Sequence, residues 1–347
     1  MTSVPVARVE READLALIVV RSPPVNTIDA KVRAGLGAAI REIAADETVR
    51  GVLLLCEGRT FFSGADMGEF SGPPREEEYR QLLNALEALS VPVVAAMHGT
   101  VLGGGLEIAL ACHYRVAEPA TRLGMPEVTL GIIPGAGGTQ RLPRLIGAEQ
   151  ALELILSARP VDGTRAQELG LVDFIISGDL RSGAVAYLRE LIAAGKSVRR
   201  TGEMIVPAAT ATPEIFERAT ERARKLYPNR SAGLIADEVV RAATRLAFAA
   251  GLEYETHRVN ECKQSSESKG AVHAFFAERE ARRIPGLPQD VQPRPFEALG
   301  VIGAGTMGCG IAICCADAGI PVTLLDANAP ALERAVRTID RTYQSMV

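Results

Sequence analysis

Two glutamates, Glu107 and Glu127, lie 20 residues apart in the sequence, and both have mostly apolar neighbours. Burial and the charge of a nearby second carboxylate both raise the pKa of a carboxyl group toward neutrality. A pair of this kind suits general acid–base catalysis. Each residue also has a simpler interpretation: Glu107 as the charge partner of a helix start, and Glu127 as the ion-pair partner of Arg141.

Three glycines at 103–105 precede Glu107, where a predicted strand ends and a predicted helix begins. Glycine lets a backbone approach a ligand closely, and the start of a helix presents unpaired N–H donors. A second turn, Ser63-Gly64-Ala65, offers another backbone N–H group, and two donors directed at one carbonyl oxygen form an oxyanion hole. Tight packing of a helix on a strand is the alternative explanation of the glycines.

Short strands must alternate with helices to position these turns, and the first 190 residues show that pattern. It predicts an α/β architecture with crossover connections. The predicted strands are 15–20, 51–56 and 92–98, and the predicted helices are 30–45, 75–89 and 106–112. From 180 to 283 the pattern is almost entirely helical, with segments at 214–227 and 232–250. The proline-rich segment 284–295 predicts a linker.

The bulk composition excludes several classes of partner. A net charge of −4 gives no reason to expect nucleic acid or an anionic membrane. The apolar runs are too short to cross a bilayer. The six cysteines form no Cys-x-x-Cys pair and do not cluster with the four histidines, so we expect no metal site. Free thiols of this kind favour a reducing compartment, and we expect a cytoplasmic location.

A glycine fingerprint lies near the C-terminal end of the sequence. Gly-Ala-Gly-Thr-Met-Gly at 303–308 follows a predicted strand at 298–302 and opens a helix, and Asp326 ends the next strand at 322–325. This arrangement predicts a dinucleotide site with the aspartate on the ribose hydroxyls. The candidate NAD-binding residues are Gly303, Gly305, Thr306, Met307, Gly308 and Asp326. The 51 residues 297–347 are too few for a complete doubly wound domain, and a disordered or partly folded tail is the alternative.

Three segments together resemble the crotonase (enoyl-CoA hydratase/isomerase) superfamily. They are Thr-Phe-Phe-Ser-Gly-Ala-Asp-Met at 60–67, His-Gly-Thr-Val-Leu-Gly-Gly-Gly-Leu-Glu at 98–107, and Pro-Glu-Val-Thr-Leu-Gly-Ile-Ile-Pro-Gly-Ala-Gly-Gly-Thr-Gln-Arg-Leu at 126–142. The resemblance covers about residues 1–190 and implies the crotonase (ClpP-like spiral ββα) fold there. We expect a helical linker region at 191–296 and an incomplete Rossmann βαβ fragment at 297–347.

The resemblance also implies a role for each matching position. The backbone N–H groups of Ala65 and Gly104 hold the thioester oxygen of an acyl-CoA. Glu107 activates the water that adds at the β-carbon, and Glu127 delivers a proton to the α-carbon. The turn at 63–67 lies beside the adenine end of coenzyme A. The expected substrate-binding residues are therefore Ser63, Gly64, Ala65, Asp66, Met67 and Gly104.

Having both glutamates matters for the subclass of reaction. The pair favours reversible hydration of trans-2-enoyl-CoA to 3-hydroxyacyl-CoA, without a metal or redox cofactor. Isomerisation of 3-enoyl-CoA to 2-enoyl-CoA needs only one base and can accompany it. The rival hypothesis is a non-catalytic acyl-CoA-binding or scaffolding module, which needs the oxyanion hole but neither glutamate.

The order of the segments resembles the multifunctional β-oxidation enzymes, which join an enoyl-CoA hydratase to an L-3-hydroxyacyl-CoA dehydrogenase. This resemblance implies an NAD half-site at 303–326 and, as partners, further copies of the chain or a thiolase. The resemblance implies that the catalytic His–Glu pair of such a dehydrogenase would follow residue 347. We therefore expect a truncated chain without dehydrogenase activity, which an assay of NADH formation tests.

Overall fold

The computed structural model describes residues 5–69, 76–196, 198–281, 284, 286, 291 and 294–344. The chain divides between residues 281 and 282 into two compact units. Each unit has its own strands and helices. The segment 284–295, predicted to be a linker, lies largely outside the described residues.

The strands of the first unit alternate with helices, as the sequence predicts. The strands are β1 (Ala7–Glu12), β2 (Leu15–Val20), β3 (Gly51–Cys56), β4 (Val93–Met97), β5 (Thr100–Leu102), β6 (Tyr114–Ala117), β7 (Arg122–Gly124) and β8 (Phe174–Ile175). The helices are α1 (Ala30–Ala44), α2 (Glu76–Glu87), α3 (Gly104–Ala111), α4 (Gly138–Ile146), α5 (Ala148–Ser157), α6 (Gly163–Glu168), α7 (Leu180–Ala193), α8 (Pro213–Leu226), α9 (Ala232–Ala243), α10 (Phe248–Gln264) and α11 (Ser266–Ala281).

Six strands form the main sheet in the order β1-β2-β3-β4-β6-β8, and only the β1–β2 pair is antiparallel. Strands β2, β3 and β4 are buried along their whole length, because helices cover both faces of the sheet. Leu188 of α7 lies in the cluster on one face, and Leu106 of α3 lies in the cluster on the other. Burying one leucine side chain contributes about 1.5–3 kcal/mol, so these runs of apolar residues hold the sheet together.

A second, two-stranded sheet positions the candidate carboxylates. Strands β5 and β7 pair in parallel, with Leu102 opposite Gly124. Because parallel strands end at the same edge of a sheet, the chain leaves both strands at one place. Glu107 follows β5 by five residues and Glu127 follows β7 by three. The pairing of β5 with β7 therefore brings the two glutamates together, although they lie 20 residues apart in the sequence.

Two predicted helices differ from the structure. The helix expected at 106–112 begins at Gly104, because Gly103 takes the capping position before it. The segment 232–250, predicted as one helical pattern, is two helices, α9 and α10. The break between them is held by tertiary structure: Arg144 Nη2 donates to the carbonyl oxygen of Leu246 at 3.1 Å. No glycine or proline lies in the break to signal it.

The helices after residue 190 pack into the same core as the strands. Val239 of α9 and Val259 of α10 lie in one buried cluster with Leu142 of α4. Packing therefore joins this region to the first 190 residues, whereas the functional division at 190 and 296 stays a prediction. Among the residues that the structure describes, no helix is both long and apolar enough to cross a membrane.

The second unit contains one parallel pair of strands with a helix between them. Its elements are β9 (Leu299–Ile302), α12 (Thr306–Asp317), β10 (Val322–Leu325) and α13 (Ala329–Gln344). The strand–turn–helix–strand order is the predicted one. A small buried cluster of Ala304, Cys309 and Ala335 joins the turn to the two helices. Ile302 and Leu325 are exposed, as expected of a two-stranded sheet that covers little apolar surface.

Candidate functional site

Glu107 lies in the first turn of α3, one of the most apolar helices of the chain, and its side chain is only 4% exposed. Its Oε1 accepts two backbone hydrogen bonds, from Ala136 N at 2.7 Å and Gly138 N at 2.9 Å. Both donors belong to the start of α4. Glu107 is thus a charge partner of a helix start, as the simpler interpretation holds, but of α4 rather than of its own helix.

The protonation of Glu107 is set by opposing effects. Burial raises the pKa of Glu107 above its ordinary value, and the N–H groups of Ala136 and Gly138 offset only part of that rise. The positive charges of Arg141 and Lys263 also lower this pKa. Hydrogen bonds to an oxygen that only accepts favour the ionised carboxylate. Glu107 is therefore suited to act as a base.

Glu127 begins a short 3₁₀ turn after β7 and points back toward the start of α3. Its Oε1 lies 2.7 Å from where a Cβ on Gly103 would stand. Its Oε2 is buried and has no hydrogen-bond partner among the described residues. Burial raises the pKa of Glu127 to about 8, and the charges of Glu107 and Glu255 add to the rise. Glu127 is therefore a neutral acid at pH 7, suited to donate a proton.

The alternative interpretation of Glu127, as the partner of Arg141, is wrong. Arg141 Nη2 donates to Glu87 Oε2 at 2.8 Å, and the guanidinium is fully buried. Arg141 Nη1 donates to the carbonyl oxygen of Ala136 at 3.2 Å. The arginine therefore supports the turn that binds Glu107, a contribution that the sequence did not reveal.

Ala65 and Gly104 lie on two turns that pack against each other. Leu102 N donates to Phe62 O at 3.2 Å, and a Cβ on Gly105 would lie 2.3 Å from that same oxygen. Neither Ala65 N nor Gly104 N donates a hydrogen bond to a residue that the structure describes. Two N–H groups on adjacent turns thus remain able to bind a carbonyl oxygen. Both explanations of the glycines apply, since Gly105 serves the packing.

The turn at 63–67 is shaped by its own hydrogen bonds. Asp66 Oδ1 accepts from Gly68 N at 2.8 Å, and Met67 begins a short 3₁₀ turn. Ser63, Gly64 and Asp66 are half-buried, and Ala65 is exposed. The structure brings these residues next to β5. Their contact with coenzyme A stays a prediction.

Two further buried side chains hold the site, and sequence reasoning missed both. Tyr79 of α2 donates its hydroxyl to the carbonyl oxygen of Gly104 at 2.6 Å. Glu255 of α10, which is fully buried, accepts from Gly137 N at 2.6 Å and from Thr139 N at 2.9 Å. Burial and the charge of Glu107 raise the pKa of Glu255 to about 8, against the hydrogen bonds of Thr139 and Gly137. No local spacing connects either residue with the glycine run.

The candidate NAD-binding residues lie together in the second unit. A Cβ on Gly308 would lie 1.8 Å from the carbonyl oxygen of Gly303, so the turn closes onto α12 only with glycine there. Asp326 Oδ2 accepts from Ala304 N at 2.8 Å, which places the carboxylate beside the turn. Gly305 caps α12, and Thr306 and Met307 form its first turn. The open start of this helix fits a pyrophosphate.

Comparisons with known proteins agree with both units. Residues 10–222 match the family Enoyl-CoA hydratase/isomerase, and residues 298–347 match the family 3-hydroxyacyl-CoA dehydrogenase, NAD binding domain. A crystal structure of an enoyl-CoA hydratase from Mycobacterium avium subsp. paratuberculosis is similar with a TM-score of 0.59 and 21% identity. That match covers 83% of this chain and 100% of the other, and it shows the fold. The predicted crotonase fold and NAD-binding fragment are confirmed.

Two curated relatives match nearly the whole of this chain. The peroxisomal bifunctional enzyme of Danio rerio is 39% identical, over 92% of this chain and 45% of the relative. The peroxisomal fatty acid beta-oxidation multifunctional protein AIM1 of Arabidopsis thaliana is 32% identical, over 96% of this chain and 48% of the relative. The chain thus spans about half the length of the curated relatives that it matches.

Proposed function

The chain belongs to the enoyl-CoA hydratase/isomerase family, and we propose that it catalyses the reversible hydration of trans-2-enoyl-CoA to 3-hydroxyacyl-CoA in fatty-acid β-oxidation. One observation carries the proposal: Glu107 and Glu127 lie together at the edge of the β5–β7 ladder, and they differ in the hydrogen bonds that they accept. Glu107 accepts two N–H bonds, whereas Glu127 has a buried oxygen without a partner. Such a pair supplies a base and an acid at once.

In the proposed mechanism the thioester oxygen accepts hydrogen bonds from the N–H groups of Ala65 and Gly104. These bonds strengthen as negative charge develops on the oxygen, which stabilises the enolate. Glu107 takes a proton from water while the water oxygen bonds to the β-carbon. Glu127 gives its proton to the α-carbon. Transfer of the proton from Glu107 back to Glu127 through solvent restores the enzyme for the next turnover.

The same carboxylates support a secondary isomerase activity, because moving a double bond from 3-enoyl to 2-enoyl needs one group that removes and returns a proton. A non-catalytic acyl-CoA-binding module is less well supported. Binding alone requires the oxyanion donors and gains nothing from the burial of Glu107 and Glu127, which costs free energy.

For the second unit we propose an NAD half-site. The N–H groups around Gly303, Gly305, Thr306, Met307 and Gly308 would hold the pyrophosphate, and Asp326 would accept from the ribose hydroxyls. Bound NAD would supply the acceptor for a hydride. The expected lack of dehydrogenase activity stays a prediction from the sequence, and so do further copies of the chain or a thiolase as partners.

The cytoplasmic location also stays a proposal. The two relatives described above are peroxisomal proteins by name. Fractionation of cells that contain the native protein distinguishes the two compartments.

Hydration of crotonyl-CoA by Glu107→Gln and Glu127→Gln tests the proposed function. We expect each variant to lose about 10²–10⁴-fold in kcat, because each removes one proton-transfer group. Binding of butyryl-CoA, measured by calorimetry, should be retained. Glu42→Gln, an exposed change on α1, is the control and should hydrate normally. Unchanged turnover in both active-site variants would reject the enzyme in favour of a binding module.

A further inference from the structure

We propose that Glu255 is a positioning residue for hydration: it binds N–H groups of the turn at the start of α4 that Glu107 does not use, and so fixes the carboxylate that activates water. This inference rests on the proposed function. It also places a working part of the active site on α10, beyond the residues 10–222 that match the hydratase family.

The two carboxylates use alternate N–H groups of one turn. Glu107 accepts from Ala136 N and Gly138 N. Glu255 accepts from Gly137 N and Thr139 N. Four consecutive donors at one helix start are thereby divided between two side chains. If either carboxylate leaves, the turn loses half of its acceptors, and buried N–H groups without acceptors are costly. The position of Glu107 therefore depends on Glu255.

The hydroxyl of Thr139 adds a further hydrogen bond, in which Glu255 is the acceptor. It receives a hydrogen bond from Gln140 Nε2 at 3.2 Å and makes a short hydrogen bond to Glu255 Oε2. Since the hydroxyl accepts from Gln140, its own proton points to the carboxylate. Glu255 thus accepts three hydrogen bonds within the described part of the chain. Three hydrogen bonds to its two oxygens hold the carboxyl group of Glu255 in one orientation.

Close backbone approach brings α10 to the turn. A Cβ on Gly251 would lie 2.1 Å from Gln140 Oε1, and a Cβ on Gly135 would lie 3.0 Å from Val259. A larger residue at Gly251 would displace the side chain of Gln140, and one at Gly135 would press on Val259 of α10. The packing one turn before and one turn after Glu255 in α10 therefore restricts the movement of its side chain.

The charged groups near Glu255 and its hydrogen-bond partners come from several elements. Glu107 comes from α3, Glu127 from the turn after β7, Arg141 from α4 and Lys263 from α10. The charge of Glu255 raises the pKa of Glu127, in addition to the effect of burial. Removing that charge should move the loss of activity at high pH to a lower pH. This shift reports the charge of Glu255, whereas kcat and amide exchange report its effect on the position of the turn.

Two variants distinguish the effect of the position of the Glu255 carboxyl group from the effect of its charge. Glu255→Gln turns an amide NH₂ group toward backbone donors, so kcat for crotonyl-CoA should fall at least about tenfold. It also removes the negative charge that Glu255 gains as it ionises at about pH 8, so the basic limb should move to lower pH. Glu255→Asp keeps a carboxyl group that can ionise but withdraws it from the turn. It should lower kcat without the downward shift of the basic limb. In both variants KM should change less than about threefold, since neither removes a substrate contact.

The stability of the turn at the start of α4 can be measured independently of catalysis. Amide hydrogen exchange of Gly137 and Thr139, resolved by NMR, should be faster in both variants of the folded chain than in the unchanged protein. Glu253→Gln is the matched control, because Glu253 is exposed on the same helix two residues away. It should leave exchange, kcat and the pH profile unchanged.

The outcomes are distinct. A kcat within twofold of the unchanged protein in both Glu255 variants would overturn the proposal. So would a lower kcat in Glu255→Gln with an unmoved basic limb and full protection of both amides. If the unchanged chain fails to hydrate crotonyl-CoA, the proposed function is wrong, and the exchange experiment alone then decides whether Glu255 holds the turn.

Discussion

Glu127 Oε1 occupies the space that a side chain on Gly103 would need, at 2.7 Å from the ideal Cβ position. Gly103 also has φ +52° and ψ −123°, a backbone conformation that L-residues rarely adopt. The next residue, Gly104, carries one of the proposed oxyanion donors. One glycine therefore sets both the place of the acid and the direction of an N–H group that would bind the thioester.

Gly103→Ala should harm activity more than stability. Strain at this backbone conformation costs about 1–3 kcal/mol, and the new methyl group must displace Glu127. We expect a lower urea midpoint and a loss of at least about 10²-fold in kcat, since small misplacements of catalytic groups have large effects. Gly270→Ala is the control, because Gly270 is exposed in α11 with open space around it. That change should be neutral or slightly stabilising. Equal kcat for the two variants would contradict the expected role of Gly103.

The pKa of Glu127, raised to about 8 mainly by burial, predicts a basic limb in hydration. Glu127 must be protonated to donate, so kcat should be constant near pH 7 and fall above about pH 8. The limb belongs to the coupled carboxylates and not to one group alone. Measuring kcat for crotonyl-CoA from pH 6 to pH 10 gives the profile. A rate that stays constant up to pH 10 would rule out Glu127 as the proton donor.

The same raised pKa has a consequence for folding. A carboxyl group whose pKa is higher in the folded than in the unfolded chain binds more protons when folded, so its contribution to stability is present below the unfolded pKa of 4.5 and is lost as pH rises toward about 8. The free energy of unfolding should therefore decline between these pH values. In Glu127→Gln, which cannot titrate, the decline should be smaller. Urea unfolding at several pH values measures both slopes, and parallel slopes would contradict the prediction.

The sequence predicted those parts of the site that depend on local patterns. Glu107 and Glu127 could be found because glycines and apolar residues surround each of them within a few positions. Glu255 could not, since its partners Gly137 and Thr139 lie 118 and 116 residues away and the contact exists only after α10 packs on α4. The break between α9 and α10 was missed for the same reason, because a tertiary contact holds it.

Tyr79→Phe should weaken catalysis without unfolding the protein. The change removes the side-chain donor to the carbonyl oxygen of Gly104, at a cost of about 0.5–1.5 kcal/mol in stability. The peptide that follows the oxyanion donor is then less well fixed, so kcat should fall several-fold while KM changes little. Tyr254→Phe, which removes a hydroxyl bonded to Glu238 on the surface, is the control. A kcat for Tyr79→Phe equal to that of the control would show that the hydroxyl does not position Gly104.

The buried pair of Arg141 and Glu87 offers the strongest test of how the turn at Ala136 is supported. Arg141→Met leaves Glu87 buried without its cation, so we expect a loss of about 3–5 kcal/mol in the free energy of unfolding. The surface pair of Arg165 and Glu168 provides the control, and Arg165→Met should cost at most about 1 kcal/mol.

Combining Arg141→Met with Glu87→Gln separates stability from activity. The double variant has no unpaired buried charge and should recover part of the lost stability. It should not recover kcat, because the carbonyl oxygen of Ala136 still lacks the donor that Arg141 Nη1 supplies, and Ala136 N binds Glu107. Urea unfolding and crotonyl-CoA hydration of the single and double variants measure the two effects. If kcat recovers together with stability, Arg141 serves the fold alone and does not position Glu107.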